Sequence, residues 1–445
     1  MSKVQASLIA VAVASVLTLK CGQGAPANPE AGNGQLTTDE SALAGVRDGG
    51  PLDPQCLGGA TPPSADAGAA AYNVSLCETL FGATNYRLSN DLTATFTCLR
   101  FSGAHNVTLD CAGHKISAAT PVSIINVEGF EIKNCHFEMP TTSGEILIQD
   151  AGTGFIHDNW LDGGSFSVTG AHNLHAYNND MVGYWQQNGV INSSISCNTM
   201  VSPTNTTSIV ALITSNYGAN NVYQRNLLDG RWPSTQVPFA QVGADDGISF
   251  QDEHGSTVRG NNISRCWDMG VESSGYIHNF KVVYNVISDI GLAGFGAFYY
   301  ASISHSVFKL NKVKKTPIAF YFFHDYGLRP ASPNYPADIA VYFDNNVFDG
   351  NTFASNKPSV SPIIDARVFS KMGYGGNLSG IPGERVPLDS EFVITNNVFR
   401  NNNLDPRALA PFWSSNGTGS VPGVIVDDGG NRCPTDPTGN LHCLP

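Results

Sequence analysis

One short stretch, "VGADDGISFQDEHG" from Val242 to Gly255, brings four carboxyl side chains and a histidine together. Its core, Asp245-Asp246-Gly247-Ile248, reappears as Asp268-Met269-Gly270-Val271 and again as Asp289-Ile290-Gly291-Leu292. Acid–base chemistry needs such pairs. Two carboxylates held close repel each other, so one keeps its proton while its neighbour ionises. If Ile248 and Val271 point inward on strands, alternation turns Ser249 and Glu272 outward, with Asp245 and Asp268 on the outer side. Asp245, Asp246, Asp268 and Glu272 are therefore the candidate catalytic carboxylates. A separation of about 5 Å would suit a retaining glycosidase, and roughly 6.5–9.5 Å an inverting one. The same oxygens would also suit Ca²⁺, which takes several oxygen ligands, and no other cofactor is indicated. His254 joins the candidates because Asp252 and Glu253 precede it and can orient its ring. A plainer reading stands beside this one: Asp before Gly is ordinary turn chemistry, and it recurs at Asp162, Asp229 and Asp349 with no other reactive group nearby.

Aromatic residues crowd "GFGAFYYA" and "IAFYFFHDYGLRP". Most belong in a core, but Trp267, Tyr299 and Tyr326 are candidate platforms for sugar rings, with Trp185, Trp232 and Tyr321 as further ones. Arg329 falls in an expected loop beside them, where it could overhang a bound ligand. His105, His172, His278 and His305 recur in step with the strands and read as turn residues.

The 445-residue chain carries 24 Lys plus Arg against 37 Asp plus Glu, a formal net charge of −13. That balance argues against nucleic acid as partner, because binding there neutralises phosphates. It also disfavours a polyanionic glycan unless a cation bridges the two. Charged residues are 14% of the chain, with 46 Gly, which suits a turn-rich β protein.

A short apolar strand, an Asn and another apolar pair recur along most of the chain. The phrase aligns on Asn159, Asn178 and Asn179, Asn198, Asn226, Asn262, Asn285, Asn311, Asn346 and Asn397. A repeat in the twenties marks a stacked architecture. Alternation over only a few residues before each turn describes coils of a single-stranded parallel β-helix, stacked at roughly 4.8 Å. Asn suits the corner twice over: it tolerates left-handed backbone angles, and its amide can bond the equivalent amide one coil away. "NVTLDCAGHKI" and "FEIKNCHF" resemble the opening coils of right-handed parallel β-helix proteins of the pectate-lyase-like superfamily, over roughly residues 75–415. The resemblance implies an all-β solenoid whose outer sheet faces a polysaccharide. It assigns no catalytic residue, since the scaffold hosts lyases, glycosidases, epimerases and non-catalytic adhesins.

The chain divides into a secretory signal over 1–21, a Gly/Ala/Pro-rich tether over 22–71, the β-helix over 72–415 and a tail over 416–445. The apolar run Leu8–Leu19 is short for a membrane span. Lipidation of Cys21 and cleavage after "APA" remain alternatives, so the expected location is secreted or lipid-anchored at the cell surface. Cys433 and Cys443 are expected to pair, as are Cys77 and Cys98, Cys56 is left without an assigned partner, and Cys197 and Cys266 are expected to lie buried as small apolar residues. A monomer that binds or cleaves an extracellular polysaccharide, as glycosidase or lyase, is the leading functional expectation. A non-catalytic surface or adhesion β-helix is the alternative.

Overall fold

The computed structural model describes Cys56 and residues 71–431, except 82–84, 141–142, 204–209, 234–241, 323, 325, 333–336, 355–363, 366–377, 405–412 and 415–424. Cys21, Cys433, Cys443 and the signal segment therefore lie outside the described residues, as do most of the tether and of the C-terminal tail.

The protein is a right-handed parallel β-helix. Among the described residues the strands are gathered into one 14-stranded and one 25-stranded sheet, and their ladders are parallel. One coil shows the plan. Thr257–Arg259 lies on the first face, in the 14-stranded sheet. Asn262–Ser264 forms the second face and Met269–His278 the third, both in the larger sheet. The next coil repeats this in register: Thr257 pairs with Lys281, Ile263 with Ile287 and Val271 with Phe295.

Three-residue strands suffice because only the middle residue must turn inward. Val258, Ile263, Val282 and Ile287 are buried between partly exposed neighbours. Stacked coil on coil, these middle residues form one continuous core, in which Phe308, Phe348 and Phe399 lie face to face at 4.8 and 4.3 Å.

The corner between the first and second faces carries a column of buried amides. Each Nδ2 donates to the Oδ1 one coil on, from Asn159 through Asn179, Asn198, Asn226, Asn261, Asn285, Asn311, Asn351 and Asn402 to Asn431, at 2.9–3.1 Å. Each also caps main chain. Asn261 donates to the Tyr223 carbonyl, and its own backbone N–H donates to Asn285 Oδ1. Such an amide leaves none of its hydrogen-bonding capacity unused.

Two features differ from the sequence expectation. The left-handed conformation and the ladder amide belong to consecutive residues, not to one. Arg225, Tyr284 and Leu310 hold φ of 54°, 59° and 54°, each just before a ladder Asn. The column also runs through Asn261, not Asn262, and through Asn351 and Asn402. Asn346 and Asn397 form a second column, at the corner between the third and first faces, where Asn346 Nδ2 donates to Asn397 Oδ1.

At the N-terminal end a disulfide takes the ladder's place. Cys111 and Cys135 are bonded one coil apart, and the Cys135 N–H donates to Asn159 Oδ1. Cys77–Cys98 is also bonded, as the sequence suggested, and Cys266 is buried and free. Cys197 is buried as expected, but it is not a lone apolar residue: it is disulfide-bonded to Cys56. It occupies the left-handed position just before the ladder residue Asn198.

The adjacent pair Asn261 and Asn262 tests the ladder. Asn261→Ala strands the amide and backbone N–H of Asn226, each of which donates to Asn261 Oδ1, and should lower stability by about 3 kcal/mol. Asn262→Ala, at a partly exposed strand position, should cost less than about 0.5 kcal/mol. Urea unfolding of the two variants gives the comparison; equal losses would refute the assignment of the ladder to Asn261.

Candidate functional site

The strands fix the site by register. Ile248 pairs with Val271 and Ser249 with Glu272, so the first two copies of the Asp-x-Gly phrase stack as expected. The Asp268 N–H donates to the Asp245 carbonyl, and the Met269 N–H to Asp246 Oδ1 at 3.0 Å. Gly247 and Gly270 are required by space, not by backbone conformation: a Cβ on Gly247 would collide with Ile263 and the Gly270 carbonyl, and one on Gly270 with Ile287 and the Gly294 carbonyl.

Asp289 does not continue the column. The coil that follows steps by 24 residues, as Val271↔Phe295 shows, whereas Asp289 lies 21 beyond Asp268. Its backbone N–H bonds the Lys314 carbonyl and its carboxylate pairs with Lys315 at 3.6 Å. Likewise Phe295, not Leu292, follows Val271 in the core column.

At the corner between the second and third faces, one carboxylate oxygen from each of Asp245, Asp246 and Asp268 lies within 4.8 Å of the others. Glu272 is 8% exposed and feels the charges of Asp268 and Asp245. Asp245 Oδ1 is buried without a hydrogen-bond partner among the described residues. Burial, reinforced by the Asp268 charge, pushes Asp245 up to about 8. Burial alone lifts Asp268 to about 6. Asp246 and Glu272 are raised well above the carboxylate range, first by burial and then by the neighbouring acids. Desolvation with like charges nearby is the environment that keeps one carboxyl protonated beside an ionised one. Three such oxygens are also a start on a Ca²⁺ site, which takes six to eight.

The third face carries a strip that begins at these acids. Its outer column runs Ser249, Glu272, Gly296, Tyr321 in register. Trp267 sits beside Asp268, partly exposed. Tyr299 is 41% exposed and lies parallel to Tyr326, with ring centroids 5.2 Å apart. Burial raises the Tyr299 hydroxyl to about 12, with the charges of Glu272, Asp245 and Asp268 contributing, so its ring shares the acids' surroundings.

The structure thus gathers Asp245, Asp246, Asp268, Glu272, Trp267, Tyr299 and Tyr326, and it separates His254 and Arg329 from that role. His254 is exposed and bridges Ala219 and His278 on another corner. The acids before it are engaged elsewhere. Asp252 binds Arg329, and Glu253 is fully buried, its Oε1 accepting from Tyr223, Ser256 and Asn221. Arg329 is itself buried, its guanidinium held by Asp252 and Asp338 and unavailable to a ligand. Trp185 and Trp232 are buried too, not surface platforms.

No protein-family model and no curated protein sequence matches the chain. Among solved structures it is similar to the Dettilon tailspike protein (14% identity, TM-score 0.41, covering 78% of this chain and 60% of the other). It is also similar to tailspike protein 3 of bacteriophage CBA120 (9%, 0.40, 84% and 56%). A third likeness is to the catalytic unit of an alpha-1,3-glucanase from Streptomyces thermodiastaticus (14%, 0.33, 80% and 64%). The chain therefore spans 56–64% of the length of these structures. Likenesses at this level assign no residue a role.

Raised carboxyl pKa values carry a stability consequence. Between the unfolded value of 4.5 for Glu272 and its raised folded value, the native state binds more protons than the unfolded one, so stability falls as pH rises. Glu272→Gln removes that loss. Its melting temperature should exceed that of the wild type at pH 8, and the difference should vanish near pH 4; a variant less stable at pH 8 would contradict the buried-acid assignment.

Proposed function

We propose that this is an exported polysaccharide-active enzyme that hydrolyses a neutral or weakly charged glycan at the Asp245–Asp268 corner. The observation that carries the reading is the buried carboxylate group itself, with Asp245 raised to about 8 and Asp268 to about 6. At neutral pH Asp245 holds a proton that it can give to the departing glycosidic oxygen. Asp268 is ionised and can attack the anomeric carbon or take a proton from water. Oxygens within 4.8 Å favour the shorter of the two carboxyl spacings, and with it direct attack by the carboxylate. Asp246 and Glu272, raised well above the carboxylate range by burial and by the neighbouring acids, stay protonated beside the pair. An acidic lining favours a neutral glycan over a polyuronate, and Tyr299 and Trp267 offer faces for sugar rings. The three disulfides among the described residues suit an oxidising compartment outside the cytoplasm.

A second reading has its own observation: the three Asp oxygens also suit a divalent cation. The protein would then bind its glycan through that ion.

Hydrolysis of a panel of neutral polysaccharides and one polyuronate, with and without EDTA, separates the two. The hydrolase reading expects EDTA-insensitive release of reducing ends from a neutral glycan, with a bell-shaped profile whose limbs lie near pH 6 and pH 8. The acid limb reflects loss of ionised Asp268 and the alkaline limb loss of protonated Asp245. Asp245→Asn and Asp268→Asn should each lower kcat by about 10²–10⁴-fold. Variants as active as wild type would end this reading, and binding abolished by EDTA would favour the cation.

A further inference from the structure

Beside the acids stands an aromatic column with an ionic anchor. The strand Ala293–Ser304 carries three residues, Tyr299, Tyr300 and Ala301, where its partner has only Gly275: Ser274 pairs with Phe298, and Tyr276 with Ser302. Within this bulge Tyr299 holds φ at 58°, an unusual conformation for a bulky side chain. His324 and residues 326–329 return over the bulge and are stitched to it. His324 Nδ1 donates to the Ala301 carbonyl at 3.1 Å, and the Tyr326 N–H to the Tyr299 carbonyl at 3.4 Å. Three rings then succeed one another: Tyr299 parallel to Tyr326 at 5.2 Å, and Tyr326 against Tyr300 at 5.1 Å.

Arg329 closes the column. Its guanidinium carbon lies 4.6 Å from the centre of the Tyr300 ring. Nη1 and Nη2 donate to the two oxygens of Asp252 at 2.8 and 2.7 Å, and Nε donates to Asp338 at 2.8 Å. Asp252 is itself fixed by the Tyr276 N–H at 2.9 Å. Its position at the end of the strand Ile248–Gln251 joins the column to the coil that carries Asp245 and Asp246. A planar cation held by two carboxylates, with an aromatic face against it, has little freedom to move.

We propose that Arg329 is a positioning residue: clamped by Asp252 and Asp338, it holds the Tyr300–Tyr326–Tyr299 column so that Tyr299 presents a preorganised face to a sugar bound beside the acids. The proposal rests on the glycan reading above and deepens it by naming a subsite and what supports it. The left-handed backbone at Tyr299 is tolerated because the stack and the returning segment determine it from both sides. Arg329 never meets the ligand, and its contribution passes through the rings.

A double-mutant cycle tests this, using the full chain, the neutral glycan selected from the panel, and its short oligosaccharides. Tyr299→Ala, at a 41%-exposed ring, should raise KM about tenfold with kcat nearly unchanged. Arg329→Met should raise KM by a similar factor, Arg329→Lys by less, and the double variant Arg329→Met/Tyr299→Ala by no more than Tyr299→Ala alone. Asp338→Asn, a milder change to the same clamp, guards against misfolding of Arg329→Met and should raise KM in the same direction with an unchanged melting temperature. Additive losses in the double variant, or wild-type KM in Arg329→Met or Asp338→Asn, would overturn the positioning role. Wild-type KM in Tyr299→Ala would overturn the platform while loss of activity in Asp245→Asn still upheld the hydrolase reading. A wild type that neither binds nor cleaves any glycan of the panel would remove both.

Discussion

A buried amide that is not satisfied costs about 1–3 kcal/mol, and this fold buries one at the same corner of coil after coil. Each is satisfied by the coils on either side of it, at nearly constant distance. The arrangement holds if every coil turns that corner alike, and that requirement propagates along the axis. Asn285, for example, accepts from the coil before through Oδ1, donates to the coil after through Nδ2, and bonds the Val258 carbonyl. No coil can slip by one residue without stranding three neighbours and turning its core residue outward. The column fixes register, and register fixes everything attached to it.

The acid corner is one consequence. Asp245, Asp246 and Asp268 are neighbours because two coils present the same corner one strand spacing apart. The ladder's rigidity offsets the cost of crowding like charges with partial burial. The same coils could relax that repulsion only by losing the registration that satisfies Asn226, Asn261 and Asn285. Destabilised acids on a stiff scaffold are what acid–base chemistry uses: stability lost locally, geometry kept globally. Burial raises Glu253 as well, but this fully buried carboxyl faces the interior, where its Oε1 accepts from Tyr223, Ser256 and Asn221.

Much of this was legible in residue order, and the errors are instructive. The Asn phrase revealed the solenoid, yet alignment on it ran through Asn346 and Asn397, which turn a different corner. Both corners use a left-handed residue followed by a buried side chain that caps the neighbouring coil, so the local phrase cannot distinguish them; only coil-to-coil pairing can. The Asp-x-Gly phrase brought Asp245 and Asp268 together correctly because their separation is one coil. It misled at Asp289, three residues short of the coil step. That step, counted on Val258 and Val282 or Ile263 and Ile287, was the available warning. It also marks Cys111 and Cys135, one coil apart at ladder positions, as a bonded pair that local reading missed.

Sequence by itself determined the coil, its core and the pairing of acids on adjacent turns, because each depends on short-range alternation repeated at one period. Tertiary structure alone decided the fates of Arg329, His254 and Cys197. Arg329 finds Asp252 across 77 residues and Cys197 finds Cys56 across 141, separations that are no single step of the repeat. Periodic contacts are written into neighbouring letters. Contacts between a repeat and what folds over it depend on where an irregular path ends in space, and no local pattern encodes that.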